Sequence, residues 1–359
     1  KGRWAMSSAG AAAAVTAEGL RKVYRVGVRR PGLWGSVRQL VAGETRDVVA
    51  VDGVSFDISQ GGFVGYIGPN GAGKSTTVKM LTGILHPTSG NVQVNGLSPA
   101  RARRRVAQQI GVVFGQRTQL WWDLPTIDSF EILAAMYDVA PADYRRFMGE
   151  FTDLLGLDEF LDTPVRRLSL GQRMRADIAA ALIHAPRVLF LDEPTIGLDV
   201  MAKAQVRDFL TRVNRDRGVT ILLTTHDMRD IEELCERVMV INHGKLMFDG
   251  NLESLIASAG LPTTMRLRLS SMAPGLAAGQ ALGQTLGQTR GQAPGRAQEI
   301  SLCTIIAVDY SARAVDLAFD RRTVSAAHVL WAARELGEVR DVSLIEAGME
   351  ETVKWLLVQ

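Results

Sequence analysis

One octapeptide constrains this chain more than any other feature. Gly68-Pro69-Asn70-Gly71-Ala72-Gly73-Lys74-Ser75 fits the pattern GxxxxGK[ST], and it lies between an apolar run and an amphipathic one. Phe63, Val64, Tyr66 and Ile67 read as a short buried strand, while Val78, Leu81 and Leu85 recur at helical spacing beyond the loop. Glycines let backbone N–H groups turn inward around phosphate oxygens, and the following helix adds the positive end of its dipole. Lys74 brings a charge to the terminal phosphates, and the Ser75 hydroxyl is placed to ligate Mg²⁺. A glycine-rich turn that bound nothing would need neither the lysine nor the hydroxyl. Gly68, Asn70, Gly71, Gly73, Lys74, Ser75 and Thr76 are therefore the candidate phosphate-binding residues, and the expected ligand is a nucleoside triphosphate.

With 359 residues the chain can bury a full core and has room for a large unit and a small one. Its 41 basic and 38 acidic residues leave a net charge of +3, too small an excess to argue for nucleic acid. Two cysteines, Cys235 and Cys303, suggest neither a disulfide framework nor a zinc site, which favours a reducing compartment. No stretch approaches the roughly 18 to 20 uninterrupted apolar residues that span a bilayer, so no pore is expected within this sequence. Residues 1–16 carry a basic start and the run Ala11 to Ala14. They read as a disordered leader, because small residues bury too little surface to offset ordering entropy.

From Glu18 to about Leu255, short β-rich runs alternate with helical patterns, which argues for a mostly parallel sheet flanked by helices. Between Val26 and Asp47 lies a basic amphipathic excursion containing Arg29-Arg30-Pro31-Gly32-Leu33-Trp34. Residues 17–258 form the expected catalytic domain and 259–359 a small α+β domain. A Gly-Gln repeat makes about 271–299 an expected flexible loop. Around that loop, Met265, Leu267 and Leu269 alternate with polar residues, as do Val315, Leu317 and Phe319. A helix with Ala326, Leu330 and Ala333 on one face, a strand at Val342 and Leu344, and a last helix through Val353 and Leu357 follow.

Val188-Leu189-Phe190-Leu191 is a continuous apolar run ending in Asp192-Glu193, as a buried central strand would deliver two carboxylates to its C-terminal edge. Asp192 is placed to hold Mg²⁺ between phosphates, and Glu193 to polarise the attacking water as general base.

Together these segments resemble the ATP-binding cassette (ABC) ATPases over about Glu18 to Leu255. Leu168-Ser169-Leu170-Gly171-Gln172 is similar to the family signature LSGGQ, with Leu170 in place of a glycine. The resemblance implies that Ser169, Gly171 and Gln172 face the γ-phosphate of a neighbouring cassette. It also implies that Asp199, in Gly197-Leu198-Asp199, belongs to the D-loop, and that His226, after Ile221-Leu222-Leu223-Thr224-Thr225, is the switch histidine. Tyr24 resembles the aromatic that stacks on adenine. In Val112-Val113-Phe114-Gly115-Gln116, a glycine stands where many members carry the loop glutamine. Gln116 is the expected contact to Mg²⁺ and water, and Gln119 the fallback. The aromatic pair in Leu120-Trp121-Trp122-Asp123-Leu124-Pro125 falls on the segment that in this family borders the groove for a membrane partner. The implied fold is an α/β P-loop NTPase of ABC type: a mostly parallel sheet, an antiparallel β subdomain and a helical signature subdomain at about 116–175, plus the small C-terminal domain. The implied function is an ATPase subunit that uses ATP and Mg²⁺, pairs head-to-tail as a homodimer or heterodimer, and serves a separately encoded transmembrane permease at the cytoplasmic face of the membrane. The layout is similar to bacterial drug or viologen exporter ATPases; import, or work on ribosomes or DNA, is the alternative.

Overall fold

In a computed structural model, residues 13–27, 45–115, 117–272, 303–309, 311–321, 323–345 and 348–358 are described. Two compact units divide between Leu252 and Glu253. The first runs through β1 (Ala13–Gly27), β2 (Thr45–Ser59), β3 (Phe63–Ile67), α1 (Lys74–Leu81), β4 (Ser89–Val94), α2 (Arg103–Ala107) and β5 (Ile110–Phe114). It continues with α3 (Thr126–Met136), α4 (Pro141–Leu155), α5 (Leu170–Leu182), β6 (Val188–Asp192), α6 (Val200–Arg217), β7 (Thr220–Thr224), α7 (Met228–Leu234), β8 (Arg237–Asn242) and β9 (Lys245–Gly250).

The all-apolar runs become the central strands because they are covered on both faces. Every residue of β3 and β7 is buried, as are the first four of β6. They form a six-stranded sheet in the order β5-β6-β7-β3-β8-β9, parallel throughout except that β9 runs antiparallel to β8. A separate antiparallel sheet has the order β2-β1-β4. The disordered leader expected over 1–16 is too long, because β1 begins at Ala13. Val15 pairs with Ile58 on one side and Val94 on the other, so Ala14 and Val15 are buried core and not a free end. The remainder of that leader, the 28–44 part of the excursion, Gln116 and the Gly-Gln repeat lie outside the described residues.

Helices α3, α4 and α5 form the signature subdomain around Phe130, Leu133, Phe147, Leu155 and Ile178. Phe151 of α4 meets Phe209 of α6 edge-on, with ring centroids 5.1 Å apart, which ties this layer to the sheet domain. Among the described residues, no helix is long and apolar enough to cross a membrane.

The second unit contains α8 (Leu252–Ala259), β10 (Thr263–Met272), β11 (Thr304–Asp309), β12 (Ala314–Phe319), α9 (Ala326–Ala332), β13 (Gly337–Ile345) and α10 (Met349–Val358). Its antiparallel sheet has the order β11-β12-β10-β13. Met265, Leu267, Leu269, Val315, Leu317 and Phe319 pack with Val329 and Ala333 into one core, matching the expected alternation. Val342 and Leu344 lie on the expected strand, β13, at the edge of the sheet, and are 38% and 42% exposed. Strand β11 was not foreseen, since Ile305 and Ile306 are adjacent and break the alternation.

Candidate nucleotide site

Parallel order carries the chemistry to one edge of the sheet. β3, β6 and β7 are neighbours, so the loops at their C-terminal ends open side by side, where ligands of open α/β sheets bind. The phosphate loop after β3 is wedged so closely at two positions that Gly68 and Gly73 are required. A Cβ on Gly68 would lie 2.1 Å from the Ile241 carbonyl oxygen, and one on Gly73 2.5 Å from that of Ala50. Asn70 and Gly71 form the exposed apex of the loop, while Lys74, Ser75 and Thr76 open α1, where backbone N–H groups have no intrahelical partner.

Lys74 is buried, and among the described residues its ammonium donates to two backbone carbonyls, Gly68 at 2.6 Å and Pro69 at 3.2 Å. Burial pushes it below the ordinary lysine value, against the pull of Glu193 and Asp192. A desolvated cation with no carboxylate in ion-pair contact among the described residues, beside a glycine-rich loop and a helix N-terminus, fits a polyphosphate. Beside it, the Ser75 hydroxyl donates to Asp192 Oδ1 at 3.2 Å. A hydroxyl and a carboxylate oxygen converging next to a phosphate cradle fit Mg²⁺, which keeps waters and phosphate oxygens as its other ligands. Thr224 Oγ1 donates to the same Asp192 oxygen at 2.5 Å, a fixing contact that the sequence reading missed. Its signal was the threonine that closes a buried apolar strand.

Glu193 sits one residue beyond the last ladder pair, Asp192 with Thr224, and takes φ +56°. A left-handed backbone costs a non-glycine residue about 1–2 kcal/mol. Its N–H donates to the Thr224 carbonyl at 2.9 Å, and its carboxylate Oε1 lies 3.5 Å from Nδ1 of the exposed His226. The same strained turn explains Gly115. A Cβ there would lie 2.4 Å from the Glu193 carbonyl oxygen, so a glutamine directly after Phe114 has no room. Gln119 is not brought to this group: its amide donates to the Asp177 carbonyl at 3.0 Å and its N–H to Asp177 Oδ1 at 3.1 Å, both on α5.

Asp177 also accepts from Thr118 Oγ1 at 2.8 Å, and burial pushes its carboxyl up to about 6 despite these bonds. The folded state therefore binds this proton more tightly than the unfolded chain, and the group costs stability increasingly as the pH rises from 3.8 to about 6, by roughly 3 kcal/mol as an upper bound beyond that. Asp177→Asn is expected to raise the thermal midpoint at pH 7.5, with the gap narrowing by about half as the pH falls to 5. Melting curves at both pH values check this.

The signature residues open α5. Ser169 Oγ accepts from the Gln172 N–H at 3.2 Å and Gln172 Oε1 accepts from the Ser169 N–H at 3.0 Å, a capping box that leaves the N-terminus of α5 open to solvent. Leu170 is accommodated by the D-loop: a Cβ on Gly197 would lie 2.7 Å from Leu170 Cδ2, and Gly171 faces Leu198 and Ala202. Asp199 caps α6 through the Ala202 N–H at 2.9 Å. Tyr24, exposed on β1 opposite Val48, belongs to the antiparallel sheet, with Lys22 Nζ 5.4 Å from its ring centroid. Trp121 and Trp122 are 37% and 50% exposed, the second under the Arg173 guanidinium.

Comparison with known proteins agrees with this geometry. Residues 51–196 match the family model described as ABC transporter. Over 229 residues the chain is 31% identical to the ABC transporter ATP-binding protein NatA of Bacillus subtilis, covering 64% of this chain and 93% of that one. It is 37% identical over 224 residues to the daunorubicin/doxorubicin resistance ATP-binding protein DrrA of Streptomyces peucetius, covering 61% and 66%. It is 35% identical over 223 residues to the methionine import ATP-binding protein MetN of Geobacillus kaustophilus, covering 61% and 65%. Among solved structures, the ATP-binding cassette MJ0796 in a dimeric post-hydrolysis state bound to ADP and Pi superposes with TM-score 0.56 at 25% identity, covering 66% of this chain and 98% of that one.

Proposed function

Because the chain belongs to the ABC transporter family of ATP-binding proteins, and is thus the ATPase subunit of a transporter, we propose that it drives export through a separately encoded permease. The observation that carries the hydrolytic reading is the convergence of Lys74, Ser75, Asp192, Glu193 and His226 at adjacent strand ends. ATP lies along the phosphate loop, its adenine on Tyr24 and its β- and γ-phosphates against the amides of α1 and the Lys74 ammonium. Ser75 and Asp192 would hold Mg²⁺, which would supply positive charge to the phosphate oxygens. Glu193 accepts a proton from water as the water oxygen bonds the γ-phosphorus. The bond to the bridging oxygen breaks, ADP leaves with the electron pair, and His226 orients the water and the departing phosphate. Gln116, outside the described residues, keeps the role that the resemblance implies, contact with Mg²⁺ and that water.

The N-terminus of α5, with exposed Ser169 and partly exposed Gly171, suits the γ-phosphate of a second cassette. The working form is therefore a head-to-tail dimer, a homodimer or a pair with a related subunit, closed by two ATP molecules and reopened by hydrolysis. Exposed Trp121 and Trp122 anchor the permease at the cytoplasmic face of the membrane. DrrA-like identity supports export, the MetN match supports import, and one assay separates them. Inside-out vesicles holding the chain and the permease encoded beside it are expected to accumulate ethidium or methyl viologen when ATP is added. ATP-driven loss of a preloaded probe would make it an importer. An ATPase rate indifferent to the permease, with ribosome or DNA association in its place, would remove the transport reading.

A further inference from the structure

Just behind the reactive pair, two threonine hydroxyls turn onto one buried oxygen. Thr195, two residues after Glu193, donates from Oγ1 to Asp230 Oδ2 at 2.5 Å. Thr225, one residue before His226, donates from Oγ1 to the same oxygen at 3.2 Å. The other oxygen, Oδ1, accepts from Arg207 Nε of α6 at 2.8 Å, and Arg207 reaches on to Glu233. Asp230 is 0% exposed, and both threonines are buried with it.

We propose that Asp230 is a positioning residue for ATP hydrolysis: its carboxylate clasps the segment that leaves β6 to the segment that leaves β7, and so sets the distance between Glu193 and His226. The proposal rests on the reading of Glu193 as base. Ladder pairing between β6 and β7 ends at Asp192 and Thr224, so beyond it only cross-links can keep the two loops in register. One is the Glu193 N–H bond to the Thr224 carbonyl, and the other is this clasp. Glu193 holds a left-handed backbone, a conformation that persists only where neighbouring structure enforces it. Thr225 Oγ1 also accepts from the Asp227 N–H at 3.0 Å, and Asp227 pairs with Lys203 of α6 at 2.6 Å, so the turn carrying His226 is bound to the same helix twice. A buried carboxylate is tolerated only when its oxygens are saturated by donors. Here those donors come from the two loops whose spacing matters and from α6, which backs them.

The test replaces hydroxyls without changing shape. In the full chain, Thr195→Val and Thr225→Val are each expected to lower the kcat for ATP about 10- to 100-fold while KM stays within about 2-fold, the pattern of misplaced chemistry. Thr195→Ser and Thr225→Ser, which keep the donor, are expected to stay within about 2-fold of the parent, and the double valine variant to fall short of the product of the single losses. Should a valine variant fail to fold, the alanine variant takes its place in the same comparison. Unchanged kcat in the valine variants, equal losses in the serine variants, or a loss confined to KM would overturn the clasp. Glu193→Gln, run alongside, separates the two readings: if it still turns over, the base assignment fails, and if it is dead while the valine variants are normal, only the clasp fails.

Discussion

Glu193→Gln is expected to bind ATP as tightly as the parent chain while losing turnover by about 10³-fold, within the range that general base catalysis contributes. The substitution keeps the side chain's size and one carbonyl oxygen, so the left-handed turn at φ +56°, its bond to Thr224 and the close fit of Gly115 are preserved. What disappears is the carboxylate proposed to take the proton of the attacking water, at the position 3.5 Å from His226. Affinity survives because the groups that hold the polyphosphate, Lys74 and the amides opening α1, are untouched. With binding intact and hydrolysis stopped, the closed pair of cassettes has no route to reopen, and light scattering should show a dimer that persists with ATP and dissolves when nucleotide is removed. A variant that stays monomeric under saturating ATP would remove the head-to-tail arrangement, and a variant that still hydrolyses would remove Glu193 as base.

The strong pieces of this site were legible because they combine local chemistry with a period. A glycine loop with Lys74 and Ser75 follows one buried strand, two carboxylates end another, and a histidine follows a third, so a parallel sheet must bring them to one edge. The order β5-β6-β7-β3, which makes Glu193 and His226 neighbours, comes from pairing between residues far apart in the chain and leaves no periodic mark. The same holds for Asp230. At four residues past His226 it reads as a polar position on a short helix, and only tertiary folding buries it against Thr195 and Arg207. Gly115 shows the reverse case. Its departure from the expected glutamine was visible in sequence, but its cause, the carbonyl of a strained Glu193, was not. Pairing on both sides of β1 likewise buried Ala14 and Val15, which by composition alone belong to a leader. Leu170 is similar: a bulky residue replaces a glycine in the signature, and Gly197 of the D-loop leaves the space for it.

Lys74→Ala should act on the other half of the cycle. Its ammonium is buried and held, among the described residues, by the Gly68 and Pro69 carbonyls, so an incoming phosphate exchanges weak neutral partners for a full negative charge. A charge-assisted bond of this kind is worth about 1.5–3 kcal/mol, which corresponds to ATP binding roughly 10- to 100-fold weaker in the variant. Stability should move differently. Burial already disfavours the charged form of Lys74 in the folded state, so alanine relieves a desolvation cost and the nucleotide-free protein should melt no lower than the parent. The stabilisation that saturating ATP confers through mass action should be reduced in proportion to the weakened affinity. Thermal melts with and without ATP read both quantities from one sample. A variant with parental ATP affinity would place the phosphates elsewhere, whereas a destabilised apo variant with unchanged ATP response would make Lys74 a structural tether of the loop.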